Sequence, residues 1–169
     1  MAEEFMIAEI KSYLKDILMD ITGVSESYIY LSAKDENQYK FAPWISILTK
    51  KSDIKIEWQK ERKKEDDNKF YIVERKYTKT IPITVALGAI GEEEADSWVE
   101  KFLERLDKDI VINNTSVKIE PVSIEYSDQE SLMTSAYIAA LTINFIHGIY
   151  TETQFDKISN IEEEVEYKK

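Results

Sequence analysis

Side chains that could do acid–base or metal chemistry are few in this sequence of 169 residues. It contains one histidine, His147, and no cysteine. A catalytic base or a metal site normally needs a second histidine, a cysteine or an orienting carboxylate, and none lies near His147 in the sequence. We therefore expect a structural role for His147 at the end of a strand. We predict no catalytic residue, no metal site and no bound cofactor.

The acids Glu92, Glu93 and Glu94, followed by Asp96, form the strongest candidate for a cation site, because hard cations prefer oxygen ligands. Consecutive residues on a helix point in different directions, however, and acids stabilise a helix N-terminus. We interpret the run as the start of a helix. A glycine-rich phosphate loop is excluded, since the chain has four glycines and the spacing of Gly88 and Gly91 matches neither known pattern.

A strand, a turn and a helix surround that acidic run. Apolar residues alternate with others from Ile81 to Leu87, which predicts a strand with one buried face. Apolar residues then recur at three- and four-residue spacing as far as Leu106, which predicts an amphipathic helix. Because the strand and the helix can cover each other's apolar faces, we expect them to form the nucleus of an α+β domain.

Flanking patterns extend this prediction to the rest of the chain. A helix is predicted for residues 5–21, ended by Gly23, and a strand buried on both faces for residues 41–49. A small hairpin is predicted across residues 113–116, and a long last strand for residues 134–146. The predicted fold is α+β, a mostly antiparallel or mixed β-sheet with an N-terminal helix and a second amphipathic helix packed on it. We predict one domain, residues 1–150, and a C-terminal extension, residues 151–169.

A long β-hairpin is predicted between residues 54 and 78. Ile54, Ile56 and Trp58 alternate with polar residues, and the ten residues 60–69 contain no apolar side chain. A strand pattern resumes at Phe70. Either both strands extend into the charged segment or it forms a long tip. The charged hairpin tip and the acidic tail are open to two interpretations. They are either a solvated loop and a frayed terminus without a function, or a β-arm and a strap that each contact a neighbouring subunit. The candidate interaction residues are Lys60, Arg62, Lys63, Lys64, Asp66, Asp67, Phe155, Ile158 and Ile161.

Composition narrows the classes of function. A net charge of −11 and a pI near 4.7 make nucleic-acid binding by counterion release improbable for the chain as a whole. The N-terminus lacks the pattern of a signal peptide, and no apolar run is long enough to span a bilayer. The spacing of Trp44, Trp58 and Trp98 indicates core residues rather than a base-stacking surface.

The order of these elements resembles that of tail-terminator (tail-completion) proteins of tailed bacteriophages, especially those of contractile tails and phage-tail-like bacteriocins. The similarity covers most of residues 5–150. Its strongest pieces are residues 81–106, with the helix sequence EEEADSWVEKFLERL, and the last strand at residues 136–150, which ends in FIHGIY. Such a protein is a structural subunit, and no catalytic or ligand-binding residue comes with the resemblance.

The resemblance implies a homo-oligomeric ring, expected to be a hexamer, that caps the tail tube and ends its polymerisation. Its implied partners are the tube protein and, in some particles, sheath and head–tail connector proteins, with DNA only passing through the channel and no membrane. Assembly would occur in the bacterial host cytoplasm, and the subunit would then belong to the virion or tail-like particle. Two alternatives stay open: another neck connector or baseplate adaptor, and a small acidic cytosolic binding module or carboxylate-metal enzyme.

Overall fold

The computed structural model describes residues 2–32, 41–66, 68–127 and 137–156. It confirms the predicted α+β fold class, because two helices accompany a mixed, mostly antiparallel sheet. In chain order the elements are α1 (Ala2–Thr22), a 3-10 turn (Glu26–Tyr28), β1 (Ile29–Tyr30), β2 (Trp44–Thr49), β3 (Asp53–Glu65), β4 (Lys69–Ala89), α2 (Glu92–Arg105), β5 (Asp109–Ile112), β6 (Thr115–Ser127) and β7 (Tyr137–Asp156).

Two compact units share the chain. The first, which we call the helical unit, comprises Met1–Ile54 and Lys79–His147. The second, the strand unit, comprises Lys55–Thr78 and Gly148–Lys169. Strands β4 and β7 contribute residues to both units. The predicted division of the chain at residue 150 stays a prediction, although β7 passes that position without a break.

In the helical unit the strands lie in the order β1-β2-β4-β7-β6-β5. The β1–β2 pair is parallel, and the β2–β4, β5–β6 and β6–β7 pairs are antiparallel. Every second residue is buried from Ile81 to Leu87 in β4 and from Ala139 to Phe145 in β7, as the period of two requires. These core residues are Ile81, Ile83, Val85, Leu87, Ala139, Leu141, Ile143 and Phe145.

Helix α1 covers the sheet with side chains spaced four residues apart, Met6, Ile10, Leu14 and Leu18, all of them buried. The helix ends where Gly23 adopts a φ of 68° and its N–H donates to the Met19 carbonyl at 3.0 Å. This is the left-handed C-terminal glycine that the sequence predicts.

Helix α2 starts at Glu92, as predicted, with Glu92, Glu93 and Glu94 in its first turn. Ala95, Trp98, Val99 and Phe102 form its buried stripe. The Glu94 carboxylate accepts the Ile90 N–H at 3.1 Å, so one acid of the run fixes the backbone that leads into the helix.

The predicted hairpin between β5 and β6 is confirmed. Asn113 and Asn114 occupy its turn with φ values of 49° and 62°, a conformation that asparagine tolerates better than most residues. Further along β6 the register with β7 shifts between Pro121 and Ser123, and a bulge is one of the places where a strand tolerates proline.

The other face of the sheet carries a small second cluster. Tyr30 and Trp44 are buried there, with Ala86 and Ile138 packed against them. Trp44 lies opposite Gly88 across the β2–β4 pair, and its indole ring occupies the space that a Cβ at Gly88 would need. The close approach of an aromatic ring explains why this strand position is a glycine.

Candidate interaction site

The structure of the strand unit decides between the two conformations predicted for the charged segment between residues 60 and 69. Strand β3 continues to Glu65 and β4 begins at Lys69, so both strands extend into the segment. Asp66 and Lys69 close the turn through two backbone hydrogen bonds of 2.8 and 3.3 Å. A ladder of backbone hydrogen bonds depends little on whether the side chains are apolar, which accounts for strands in so polar a sequence.

Strand β3 has an apolar face that is exposed. The exposed fractions are 63% for Ile54, 65% for Ile56 and 57% for Trp58. Glu57, which alternates with them, has a side chain only 16% exposed. The prediction of Trp58 as a core residue is therefore wrong, whereas it is confirmed for Trp44 and Trp98, which are 4% and 5% exposed.

Trp58 also has an unusual backbone, with a φ of 49°. A bulky residue in the left-handed region costs free energy and persists only where surrounding contacts determine it. Two such contacts come from β4: the Lys76 ammonium lies 5.1 Å from the centroid of the Trp58 ring, and the Tyr77 ring is tilted against it at 6.5 Å. The exposed indole of Trp58 is thus contacted by the Lys76 ammonium and by the Tyr77 ring, two consecutive residues of β4.

Beside Trp58, a polar group ties β3 to β4. The Glu57 carboxylate accepts hydrogen bonds from the Lys55 ammonium and the Thr78 hydroxyl, each at 3.2 Å. The Lys55 hydrogen bond, more than any other contact, lowers the pKa of Glu57. Glu57 is therefore ionised at neutral pH and anchors the strand on the side opposite to the exposed apolar residues.

Contacts between β4 and β7 complete the strand unit. Arg75 donates to the Tyr150 hydroxyl at 2.8 Å and places its guanidinium carbon 5.5 Å from the centroid of that ring. Phe70 stacks on Phe155 with the ring centroids 5.0 Å apart. Since the contacts run in opposite directions along the two strands, β4 and β7 are antiparallel here.

The predicted interaction residues have mixed outcomes. Lys60 and Lys63 are exposed in β3, and Asp66 is exposed in the turn that follows. Phe155 is 42% exposed and belongs to β7 rather than to a separate tail. Arg62 and Lys64 belong to β3. Asp67, Ile158 and Ile161 lie outside the described residues. The prediction that these nine residues contact a partner stays a prediction.

A second surface feature lies in the helical unit, where a cleft of about 420 Å³ opens beside the first turns of α2. Two aromatic side chains line it, Tyr126 and Tyr137, which are 56% and 39% exposed. The other described lining residues are Glu92, Glu93, Ala95, Asp96, Ser127 and Ile138. The cleft therefore combines aromatic rings with carboxylates.

The Tyr126 hydroxyl donates to the Asp96 carboxylate at 3.3 Å and connects β6 to α2. Partial burial, and next the adjacent Asp96 carboxylate, raises the pKa of Tyr126, so the phenol is neutral. Sequence reasoning missed this cleft, because Tyr126 and Tyr137 are separated in the sequence by a polar connection. Only the antiparallel pairing of β6 with β7 brings their strands together.

The described residues contain no group of three or more His, Asp or Glu side chains placed to hold a metal ion. His147 lies half-buried in β7. Within the same ranges, no helix has the length and apolar character needed to cross a bilayer.

Neither a family model nor a curated protein matches the chain. The candidate interaction surfaces are the exposed apolar face of β3 and the aromatic–acidic cleft beside α2.

Proposed function

We propose that this chain is a structural assembly subunit that closes into a ring, caps the end of a phage or phage-like tail tube and joins it to the neck or sheath. The observation that carries the proposal is the strand unit, in which Ile56 and Trp58 face solvent. Sheets of this kind are stable when a second layer covers their apolar face. In the described part of the chain no helix of the strand unit does so, and a neighbouring subunit would supply that layer.

The outer edge of β3 supports the same proposal. Among the described strands β3 pairs with β4 alone, so its other edge offers backbone N–H and C=O groups to a further strand. Lysines are spaced along β3, including the exposed Lys55, Lys60 and Lys63. Charged edge residues oppose indiscriminate pairing, which favours one specific partner over open-ended aggregation.

The cap would act by geometry rather than by chemistry. It would cover the exposed surface of the last tube ring and present no equivalent surface to the next. A net charge of −11 suits a wall around a channel through which DNA passes, because like charges repel the phosphate backbone. The subunit would assemble in the host cytoplasm and remain in the finished particle.

Tube length and solution mass test the proposal together. Light scattering after size exclusion and native mass spectrometry should find a closed species near 118 kDa, six times the subunit mass of 19.7 kDa, since rings have closed symmetry. Added to polymerising tube protein, the subunit should shorten the tubes and bind only their ends. A chain that stays monomeric and leaves tube length unchanged would contradict the proposal.

A further inference from the structure

Two features of the chain are complementary in chemistry, although each lies in a different unit. The strand unit presents Trp58, a ring 57% exposed with the Lys76 ammonium 5.1 Å from its centroid. The helical unit contains the cleft of about 420 Å³ lined by Tyr126, Tyr137 and Glu93. An exposed ring with a cation matches a cleft of rings and carboxylates. The first feature can fill the second.

We propose that, in the assembled ring, Trp58 and Lys76 of one copy dock into the aromatic–acidic cleft of the next copy. The indole would pack against Tyr126 and Tyr137, and the Lys76 ammonium would face the carboxylates at the first turn of α2. This inference rests on the proposed function, because it identifies the surfaces through which the ring subunits join.

Size and residue type support the pairing. Pockets that hold small ligands have volumes of about 300–1,000 Å³, so a cleft of about 420 Å³ is large enough for an aromatic side chain with its neighbouring lysine. Trp, Tyr and Arg dominate the binding energy of protein interfaces, and a buried Trp in a partner's pocket is the usual form of such an anchor. The φ of 49° at Trp58 is a strained conformation of the kind that clusters at functional sites.

Charge distribution supports it as well. Residues 55–78 contain eight Lys and Arg against six Asp and Glu, within a chain that has 22 and 33 of these residues. The segment is thus locally basic although the chain is acidic. Lys76 brings positive charge to the Trp58 ring, and Glu92, Glu93 and Asp96 bring negative charge to the cleft. Opposite potentials on two surfaces orient their encounter and select the partner.

The docking is head-to-tail, because the two surfaces of each copy differ. Head-to-tail contacts generate rings when the rotation between copies closes, whereas a contact of a surface with itself stops at a dimer. A defect in one surface therefore leaves the other surface of the same copy functional. That property provides a test which a self-complementary interface would fail.

The experiment uses two full-length variants, Trp58→Ala and Glu93→Lys, and measures mass and dissociation constant by analytical ultracentrifugation. Each variant alone should associate at least about 30-fold more weakly than the parent chain, the loss typical of an interface anchor. Mixed in equal amounts they should form a dimer near 39 kDa, twice 19.7 kDa, because the intact Trp58 of one copy meets the intact cleft of the other. Circular dichroism checks that both variants fold.

The two control variants change exposed residues outside the proposed contact. Glu104→Lys makes the same charge change on an exposed residue of α2, about 16 Å along the helix from Glu93 at 1.5 Å per residue, and should leave association unchanged. Val111→Ala removes an apolar side chain that is 70% exposed on β5 and should also have no effect.

Four outcomes overturn the docking proposal. In the first, the parent chain does not self-associate up to millimolar concentration, and in the second, Trp58→Ala associates as strongly as the parent chain. In the third, Glu104→Lys weakens association as much as Glu93→Lys does. In the fourth, the mixture of Trp58→Ala and Glu93→Lys stays monomeric. If the parent chain still limits tube length in any of these cases, the proposed capping function stands and the subunits join through other surfaces. If the parent chain does not limit tube length either, both the docking proposal and the proposed function are wrong.

Discussion

Replacing Gly88 by alanine tests the packing of the sheet's second face. The added Cβ would lie 2.3 Å from Cε2 of Trp44, far inside the 3.5–4.0 Å at which carbon atoms attract each other. Trp44 is 4% exposed and packs with Tyr30, Ala86 and Ile138. The indole ring cannot move away without opening that cluster, so we expect Gly88→Ala to be destabilising.

The magnitude follows from two opposing effects. Overfilling a packed site costs about 1–3 kcal/mol, and replacing glycine by alanine returns about 0.4–1 kcal/mol by restricting the unfolded chain. The free energy of unfolding should therefore fall by about 1–2 kcal/mol. For a chain of this size that corresponds to a decrease in Tm of roughly 2–8 °C. Urea unfolding followed by tryptophan fluorescence and thermal circular dichroism measure the two quantities.

Gly91→Ala is the matched control, because no atom lies within 4 Å of a Cβ built at Gly91. The weaker helix cap and the restricted unfolded chain should nearly cancel there. Combining Gly88→Ala with Trp44→Phe should recover part of the loss, with a coupling free energy of about 1 kcal/mol or more in the double-mutant cycle. Equal stabilities for Gly88→Ala and Gly91→Ala, or additive effects in the cycle, would refute the reasoning.

Three further predictions concern other contacts. The Lys55 hydrogen bond is the largest cause that lowers the pKa of Glu57. The stabilising effect of the Glu57 carboxylate is therefore present above the unfolded pKa of about 4.3 and is lost as the pH falls through the folded pKa, and Lys55→Met should raise the Glu57 pKa measured by NMR titration. Gly23→Ala should cost about 1–2 kcal/mol in urea unfolding, since the φ of 68° is unfavourable for alanine, and Gly23→Asn should cost less. Tyr13→Phe should cost about 1 kcal/mol in the same assay, because its hydroxyl donates to the Asp107 carboxylate at 2.9 Å and accepts the Asp107 N–H at 3.0 Å.

Local chemistry made parts of this fold predictable from the sequence. Gly23, Asn113 and Asn114 adopt positive φ values, and these are the residue types that tolerate them at least cost. The acids from Glu92 to Glu94 start a helix because they complement its N-terminus. Signals of this kind depend on a few neighbouring residues, so no knowledge of distant contacts is needed to interpret them.

The solvent exposure of side chains was not predictable from such local signals. The alternation of Ile54, Ile56 and Trp58 indicates that these side chains share a face of β3, but no periodicity says whether the covering layer belongs to the same chain. The cleft at Tyr126 and Tyr137 depends on the register of β6 with β7. Register is a property of long-range pairing, and the candidate site accordingly lay where the sequence patterns were least informative.

The charge of the chain constrains how copies can associate. At −11 per copy the copies repel each other at long range, and salt screens that repulsion within about 10 Å. A productive contact must therefore combine a desolvated apolar centre with a local reversal of charge. Trp58 has the exposed apolar area for such a centre, and Lys76 beside it carries the opposite sign to the chain as a whole. Electrostatics therefore favours a contact between the strand unit of one copy and an acidic surface of the next over a contact between two acidic surfaces.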